Sequence, residues 1–366
     1  MGATTEIGWT DATWNPCRGC SRVSPGCERC YAEGVAARFS GLDPNGRPLP
    51  YHGLAVMTDK GPRWTRKVVM VPDHLAVPIH WRKPRLIFVN SMSDLFHESI
   101  SDEDIAAVFG VMGACPRHTF QILTKRSKRM RQWMQWIMKR PGGLLGMPYS
   151  PNMVCAGLAQ QQTGLRWEVP MEWPLPNVWL GVSCENQEYA EERIPDLLAT
   201  EAAVHFVSHE PALGGIRYRE EWMVGAFDSC ADERHDLPGT PESKATDECR
   251  GCPGYTLEGG DYCGAVHGPH LDWVIVGGES GHEARPFDVD WARSDVLQCA
   301  QYGVACFVKQ MGARPMVAAS DQPLAISRSP LRLDDAKGAN WEEWPKELRV
   351  RQYPKKKAAM VAMAAV

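Results

Sequence analysis

A unit that recurs along this chain constrains its fold more than any other feature: a short apolar run that ends in polar residues and precedes a helical pattern. Each run is nearly continuous in β-branched, aromatic and other apolar residues, which is typical of strands buried on both faces of a parallel sheet. The runs lie at residues 85–94, 119–126, 178–186, 204–210, 273–281 and 305–310. A further strand is expected within residues 7–14, so the sequence predicts six to seven parallel strands.

Helical patterns between the runs indicate how the strands are connected. Ser101 is a typical N-cap, because Asp104 follows three residues later and an apolar pattern begins there. Further helices are predicted at residues 31–39, 127–139 and 188–199. Strands that alternate with helices predict an α/β protein, and we expect a partial, open β/α barrel similar to an incomplete TIM barrel. A doubly wound open sheet is the alternative.

Segments that break this pattern define the predicted domain organisation. The predicted units are a barrel at residues 1–221 and 271–320, a cysteine-containing insertion at residues 222–270, and a C-terminal extension and tail at residues 321–366. Within the barrel, residues 41–65 are expected to be loop and residues 141–176 a long connection or lid. Both segments are rich in Gly, Pro and polar residues, which favour irregular structure.

The polar residues at the ends of the runs indicate where a site would lie. They are Ser93 and Asp94, Lys125 and Arg126, Glu185 and Asn186, His209 and Glu210, Gly278 and Glu279, and Lys309 and Gln310. The carboxyl ends of parallel strands meet at one edge of the sheet, which is the site face of a β/α barrel. Glu210 is a candidate catalytic residue for acid–base work. Lys309 is another, because an amine on a buried strand needs a partner or a function.

Composition and charge restrict the classes of partner. The chain has 366 residues, a net charge of −4 and 44% hydrophobic residues, which describes a globular protein with a full core. This charge gives no overall attraction to nucleic acid, so such contact needs a local basic patch. No apolar run approaches the roughly 18 residues of a membrane helix, and no signal-peptide pattern begins the chain. We therefore expect a cytoplasmic protein without a membrane partner.

Thirteen cysteines form two groups and a scatter, and the first group marks a predicted metal site. Cys17, Cys20, Cys27 and Cys30 lie within fourteen residues, between Pro and Gly residues that favour a tight loop. In a reducing cytosol, clustered thiols more often bind metal than form disulfides. Four thiols suffice for a structural zinc ion, and three suffice for a four-iron cluster with one open iron. Spacing alone leaves both alternatives open.

The second group of cysteines lies in the predicted insertion. It consists of Cys230, Cys249, Cys252 and Cys263. This segment has little apolar content, so it needs a bound metal or another cross-link in order to fold. Structural zinc is the favoured interpretation, with an auxiliary iron–sulfur cluster and a metal-free loop as the alternatives.

The spacing Cys20-x6-Cys27-x2-Cys30 resembles the cluster loop of radical S-adenosylmethionine enzymes, although their commonest spacing has three residues in the first gap. More specifically, the chain resembles a phage-associated, uncharacterised family with a Gly-Cys-x6-Cys-x2-Cys motif. That family is similar to divergent radical S-adenosylmethionine enzymes of the spore photoproduct lyase type. The blocks that carry the resemblance lie at residues 9–16, 23–33, 88–97, 123–126, 276–281 and 348–354.

This resemblance implies a four-iron (4Fe-4S) cluster held by Cys20, Cys27 and Cys30, with Cys17 as an extra thiol. It implies that S-adenosylmethionine binds the open iron and that an electron donor reduces the cluster, which yields a 5′-deoxyadenosyl radical. The cofactor-binding residues that it implies are Ser93 and Asp94 for the ammonium group, and Gly278, Glu279 and Ser280 for ribose, adenine or substrate. The same resemblance implies nucleic acid or a nucleotide as the substrate class.

Residues 125–140 support a rival function. They contain seven basic residues with two tryptophans between them, a pattern that can contact phosphates and stack bases. The favoured interpretation is an amphipathic helix that buries Met130, Trp133, Met134 and Ile137. The rival interpretation is a nucleic-acid-binding protein without catalysis, in which both cysteine groups bind zinc and stabilise the fold.

Overall fold

The computed structural model describes residues 5–139, 150–169, 172–225, 268–318 and 328–354. Its strands are β1 (Ala12–Trp14), β2 (Cys17–Arg18), β3 (Ala55–Thr58), β4 (Gly61–Trp64), β5 (Val69–Met70), β6 (Leu86–Val89), β7 (Thr119–Thr124), β8 (Val178–Ser183), β9 (Val204–His209), β10 (Trp273–Gly277), β11 (Phe287–Asp288), β12 (Ala305–Gln310), β13 (Pro315–Ala318) and β14 (Arg328–Pro330). Its α-helices are α1 (Tyr31–Arg38), α2 (Pro72–Leu75), α3 (Asp102–Gly113), α4 (Ser127–Lys139), α5 (Pro151–Thr163), α6 (Gln187–Leu198), α7 (Glu220–Val224) and α8 (Val289–Tyr302).

The main sheet has seven parallel strands in the order β1-β6-β7-β8-β9-β10-β12. This order follows the chain throughout, whereas a doubly wound sheet reverses direction part-way along. The doubly wound alternative is therefore wrong. The twist of neighbouring strands accumulates in one direction, and the sheet curls into a half-barrel. The prediction of a partial, open β/α barrel is confirmed, with seven strands.

The predicted strands and helices agree with the observed ones because the pattern of burial is strong. β8, β9 and β10 are buried at every position, as continuous apolar runs predict. Ser101 caps α3 as expected, since its hydroxyl accepts a hydrogen bond from the backbone N–H of Asp104 at 3.1 Å. The predicted helix over residues 127–139 is α4.

The two faces of the sheet bury different sets of side chains. One face packs against helices, whose buried residues share a core with it. The other, inner face carries an aromatic floor, to which none of the α-helices given above contributes: Trp9, Phe88, Trp179, Phe206, Trp273, Phe307 and Tyr353. Because successive side chains of a strand alternate between faces, Ser208 and Lys309 share this inner face, nearer the carboxyl edge. The inner face of the half-barrel is therefore polar near the carboxyl ends of the strands and apolar farther from them.

Two segments contain regular structure where the sequence predicts none. The hairpin β3–β4 lies within residues 41–65, which are expected to be loop. α5 lies within residues 141–176, the expected connection or lid, and it packs closely against α3. Gly110 of α3 makes this approach feasible, since a Cβ at this position would overlap the backbone carbonyl of Cys155. Both expectations were wrong in these parts.

The C-terminal extension covers the last strand of the sheet. The backbone N–H of Val308 donates to the carbonyl of Val350 at 2.9 Å, and the N–H of Gln352 donates to the carbonyl of Cys306 at 2.8 Å. The free edge of β12 is thereby paired rather than exposed. No helix in the ranges described above is long and apolar enough to cross a membrane.

Candidate functional site

The cysteine loop lies at the carboxyl edge of the sheet, between β1 and α1. After β1, Gly19 forms a bridge with Ser93, which follows β6. Gly19 has a φ of 92°, and a Cβ there would overlap the backbone carbonyl of Lys67, so this turn requires glycine. α1 begins directly after Cys30. The loop therefore follows the first strand of the half-barrel, as the sequence predicts.

Three of the four loop thiols, those of Cys20, Cys27 and Cys30, are close enough to influence one another's ionisation. Each is partly exposed. Burial raises the pKa of Cys20 to about 12, and the charges of the other two thiols contribute to the increase. Burial also raises the pKa of Cys30, with Cys27 again among the causes. Cys20 and Cys30 are therefore protonated at neutral pH, and binding of a metal would release protons from them.

Cys17 occupies a different environment from the other three thiols. It is 0% exposed, and its Sγ lies 3.3 Å from Oγ of Ser93. Burial raises its pKa to about 12, and the main causes of this increase do not include the other loop thiols. The Ser93 hydroxyl also donates to the backbone carbonyl of Cys17 at 3.0 Å. Ser93 thus fixes this end of the loop, and Cys17 behaves as a buried structural thiol.

Arg126, directly after β7, connects the loop to the neighbouring strand end. One Nη donates to Asp94 at 3.0 Å and lies 4.0 Å from Sγ of Cys20. The other Nη donates to the backbone carbonyl and the hydroxyl of Ser21, at 3.1 and 2.9 Å. The guanidinium also contacts Glu98 at 3.1 Å. A buried cation is therefore in contact with the sulfur of one candidate ligand.

Asp94, which the sequence analysis assigns to an ammonium group, is occupied by protein donors in this structure. Its carboxylate accepts hydrogen bonds from the Thr124 hydroxyl at 2.8 Å and from the backbone N–H of Phe96 and Lys125, at 3.0 and 3.2 Å. With the bond from Arg126, these four donors hold it at the ends of β6 and β7. Asp94 therefore helps to position the loop, because it holds Arg126 in place.

Glu185, directly after β8, holds the other side of the loop. Its carboxylate is fully buried and accepts hydrogen bonds from the Ser24 hydroxyl at 2.5 Å and Arg193 at 3.0 Å. It also forms an ion pair with Lys125, at 3.0 Å. Burial raises the pKa of Glu185, but Lys125 and Arg193 outweigh this effect and hold the pKa below its ordinary value. Gly26 allows the loop to lie against this carboxylate, because a Cβ there would overlap it.

The segment after β10 reaches the loop through Arg285, which sequence reasoning did not identify. Glu279 forms a hydrogen-bonded ion pair with Arg285. Arg285 also donates to the backbone carbonyl of Pro25 at 3.0 Å and contacts Glu28 at 3.4 Å. A partly buried carboxylate such as that of Glu279 implies that a cation lies nearby. No spacing in the sequence identifies Arg285 as this cation. Four strand ends thus support the loop, those of β6, β7, β8 and β10.

The other two residues of the Gly-Gly-Glu-Ser segment differ in their surroundings. Gly278 is buried, and a Cβ there would lie 2.6 Å from the carbonyl of Met311, so glycine is needed for packing. Ser280 is exposed. Of the three residues predicted to contact ribose, adenine or substrate, Glu279 is the one that the structure connects to the loop.

The two candidate catalytic residues are paired. Nζ of Lys309 lies 2.5 Å from Oε1 of Glu210, and both side chains are about one-fifth exposed. Glu210 is also among the charges that raise the pKa of Tyr31, the first residue of α1, so this pair lies near the loop. Tyr31 itself donates from its hydroxyl to the backbone carbonyl of Ser91 at 2.6 Å. The pair therefore combines an acid and a base on the polar part of the inner face.

His209 has a structural role. Its Nδ1 lies 2.7 Å from Oδ2 of Asp295 on α8, and both side chains are fully buried. Its Nε2 lies 2.9 Å from the carbonyl of Gly214. This histidine points into the helix layer, because it alternates with Ser208 and Glu210, and it links β9 to α8.

The basic helix α4 is an ordinary amphipathic helix. Met130, Trp133, Met134 and Ile137 are buried, as the favoured interpretation predicts. Trp133 stacks on Phe109, with ring centroids 4.4 Å apart. This tryptophan is therefore not available for base stacking, which weakens the rival nucleic-acid surface over residues 125–140.

The donor set of the loop fits an iron–sulfur cluster. Among the described residues, no group of three or more His, Cys, Asp or Glu side chains is arranged to hold a metal ion. A four-iron cluster binds each thiolate through a different iron, so its ligands surround it rather than converge on one atom. Thiols such as those of Cys20, Cys27 and Cys30 are the donor type that such clusters use. The second group, Cys230, Cys249, Cys252 and Cys263, lies outside the described residues, and its metal stays a prediction.

Comparison with known proteins gives one match. A family model described as "Protein of unknown function (DUF5131)" matches residues 4–353, which is almost the whole chain. No curated protein matches the chain, and no solved structure does.

Proposed function

The chain belongs to the DUF5131 family of proteins of unknown function, and we propose that it is an iron–sulfur enzyme of the radical S-adenosylmethionine type. The observation that carries this proposal is the division of the loop thiols. Cys20, Cys27 and Cys30 are neighbouring and partly exposed, whereas Cys17 is buried against Ser93. Three ligands leave one iron of a four-iron cluster open for a small molecule, and a fourth would close it.

In this proposal, Cys20, Cys27 and Cys30 hold the cluster at the carboxyl edge of the half-barrel. When bound, such a cluster supplies one electron to S-adenosylmethionine from an external donor. Arg126 stabilises the negative charge of the cluster thiolates, because its guanidinium contacts Cys20. Asp94 fixes Arg126 in turn.

The residues proposed to face S-adenosylmethionine or the substrate lie at the carboxyl ends of β6, β9, β10 and β12. We propose Ser93 and Asp94 at the ammonium end of S-adenosylmethionine, and Gly278, Glu279 and Ser280 along its ribose and adenine or the substrate. The pair Glu210–Lys309 is proposed to give and take a proton at the substrate, because it joins an acid and a base on the inner face. The aromatic floor below excludes water from the base of the half-barrel.

Two further parts of the proposal concern the metal of the insertion and the substrate. We propose structural zinc at Cys230, Cys249, Cys252 and Cys263. Nucleic acid or a nucleotide is the proposed class of substrate. The protein is proposed to act in the cytoplasm, where an electron donor is available.

Reductive cleavage of S-adenosylmethionine tests the proposed activity. Anaerobically purified protein is reconstituted with iron and sulfide, reduced with dithionite and assayed for 5′-deoxyadenosine and methionine. Wild-type protein is expected to form both products, Cys27→Ala to form neither, and Cys17→Ala to retain cleavage.

Cys17→Ala is the control for general damage to the loop, because it removes a thiol from the same segment. Absence of product from wild-type protein that contains its iron would overturn the proposal. Loss of cleavage in Cys17→Ala but not in Cys27→Ala would show that the ligand set is wrong. Zinc without iron in both cysteine groups would favour the rival, non-catalytic function.

A further inference from the structure

The segment that contains and follows the cysteine loop carries an unusual charge. Residues 15–70 contain nine Lys and Arg against four Asp and Glu, a net charge of +5 in a chain whose total is −4. Most of this segment is the basic module, which we define as residues 29–67: α1, the hairpin β3–β4 and the chain between them. The rest of the chain is acidic in total, and residues 125–140 are its other concentration of Lys and Arg.

The basic module folds against itself as a unit. α1 packs on both strands of the hairpin. The backbone N–H of Trp64 donates to Glu33 of α1 at 2.7 Å, and the backbone N–H of Tyr51 donates to the carbonyl of Phe39 at 3.0 Å. Arg22 of the cysteine loop also pairs with Glu33. The module is thus fastened to the loop that carries the candidate ligands.

The acids of the module are mostly occupied, whereas its bases are exposed. Glu33 is buried in the contacts just described, and Asp43 accepts hydrogen bonds from the backbone N–H of Asn45 and Arg47. Asp59 is left as the exposed carboxylate of the module. Its exposed cations are Arg29, Arg38, Arg47, Lys60, Arg66 and Lys67. None of the six forms an ion pair with another described residue, so the surface presents uncompensated positive charge.

Exposed apolar side chains are concentrated in the same module. Five of the eleven large ones in the described part of the chain belong to it: Tyr31, Phe39, Leu42, Val56 and Met57, at 44–65% exposure. Cations are interspersed with them along the chain: Arg38 precedes Phe39, Arg47 follows Leu42, and Lys60 follows Met57. Tyr31 directly follows Cys30 and is tied to the end of β6 through Ser91. The surface therefore begins where the candidate site begins.

We infer that the basic module binds a nucleic-acid strand and presents one of its bases to the site. Arginines bind phosphates with two parallel hydrogen bonds, and exposed rings such as Tyr31 and Phe39 provide faces on which bases stack. A lipid surface would instead require one continuous apolar face, and four of the six exposed cations are arginines. This inference rests on the proposed function, for which it specifies the substrate class as polymeric nucleic acid rather than a free nucleotide.

Charge reversal with a matched control tests the inference. The full-length protein is titrated into fluorescein-labelled 20-nucleotide single-stranded DNA and RNA at several salt concentrations, and binding is followed by fluorescence anisotropy. The module variant is Lys60→Glu/Arg66→Glu/Lys67→Glu. The control is Lys128→Glu/Lys139→Glu/Lys346→Glu, which reverses three exposed lysines outside the module and changes the net charge equally.

The module variant is expected to bind at least tenfold more weakly than wild type and to lower the slope of log K against log salt by about 2, since each phosphate contact adds about 0.7 to that slope. The control is expected to bind within about threefold of wild type. A second variant, Arg38→Glu/Arg47→Glu, in α1 and the chain that follows it, guards against misfolding of the hairpin, and circular dichroism checks all three proteins.

Three outcomes would overturn the inference: no binding by wild type, equal weakening by the module and control variants, or binding to anionic vesicles in preference to DNA and RNA. Binding of nucleic acid does not require cleavage of S-adenosylmethionine, so the two proposals fail separately. If the module variant loses nucleic-acid binding but still cleaves S-adenosylmethionine, the defect lies in the surface. If wild type cleaves S-adenosylmethionine but binds no strand, only the polymeric substrate is excluded.

Discussion

At the scale of single residues, two buried charges decide where the cysteine loop lies. Arg126 and Asp94 form an ion pair in which both side chains are less than one-tenth exposed. The side chains of this pair join the loop, Glu98 and the ends of β6 and β7. Because the pair is withdrawn from water, removal of one partner leaves the other charge uncompensated.

Arg126→Ala is therefore expected to destabilise the fold by about 3–5 kcal/mol, the usual cost of breaking a buried ion pair. Urea denaturation of the apoprotein measures the free energy of unfolding. Arg131→Ala is the matched control, because Arg131 pairs with Asp196 while 45% of its own side chain is exposed. Breaking such an exposed pair costs at most about 1 kcal/mol. Equal effects of the two substitutions would contradict the structural role of Arg126.

At the scale of elements, the loop is held between strand ends that are far apart in the sequence. Ser24 contacts Glu185 after β8, and Pro25 contacts Arg285 after β10. Gly26 lies between these anchors, with no room for a side chain beside Glu185. The shape of the loop thus depends on a glycine that binds no ligand.

Gly26→Ala is expected to displace the loop and to reduce the iron content after reconstitution to less than half of the wild-type value. Gly34→Ala is the control, since its Cβ would meet nothing within 4 Å and it lies in α1. Alanine favours a helix by about 1 kcal/mol over glycine, so this control is expected to be neutral or stabilising. Iron assay of both proteins makes the comparison. Normal iron in Gly26→Ala would contradict the proposed contact.

The sequence predicts elements well where burial produces a pattern, and poorly where packing alone decides. The strands of the half-barrel are predictable because each is an apolar run with polar ends. The hairpin β3–β4 is not, because its strands show no alternation of buried and exposed residues and include Pro62. α5 carries a weak apolar pattern, and its place is set by the close approach of Gly110 to Cys155. Close packing of this kind leaves no periodic pattern of apolar residues in the sequence.

At the scale of the whole molecule, the fold gathers residues that the sequence can only list. The polar ends of the apolar runs predict that Glu210 and Lys309 share the carboxyl edge, but their pairing depends on the neighbouring positions of β9, β10 and β12 in the curled sheet. The same is true of Arg285, whose partner Glu279 and contact Pro25 are brought together by the closure of the loop. The sequence therefore predicts the face of the site, and the topology determines which groups meet there.

The central claim, that Cys20, Cys27 and Cys30 and not Cys17 hold a four-iron cluster, is tested most directly by metal analysis. Iron, sulfide and zinc are measured per chain in anaerobically reconstituted wild type, Cys17→Ala and Cys27→Ala. Wild type and Cys17→Ala are expected to contain about four irons with equal sulfide, and Cys27→Ala to lose most of this iron. Wild-type protein that contains zinc but no iron, or that loses its iron when Cys17 is replaced, would contradict this claim.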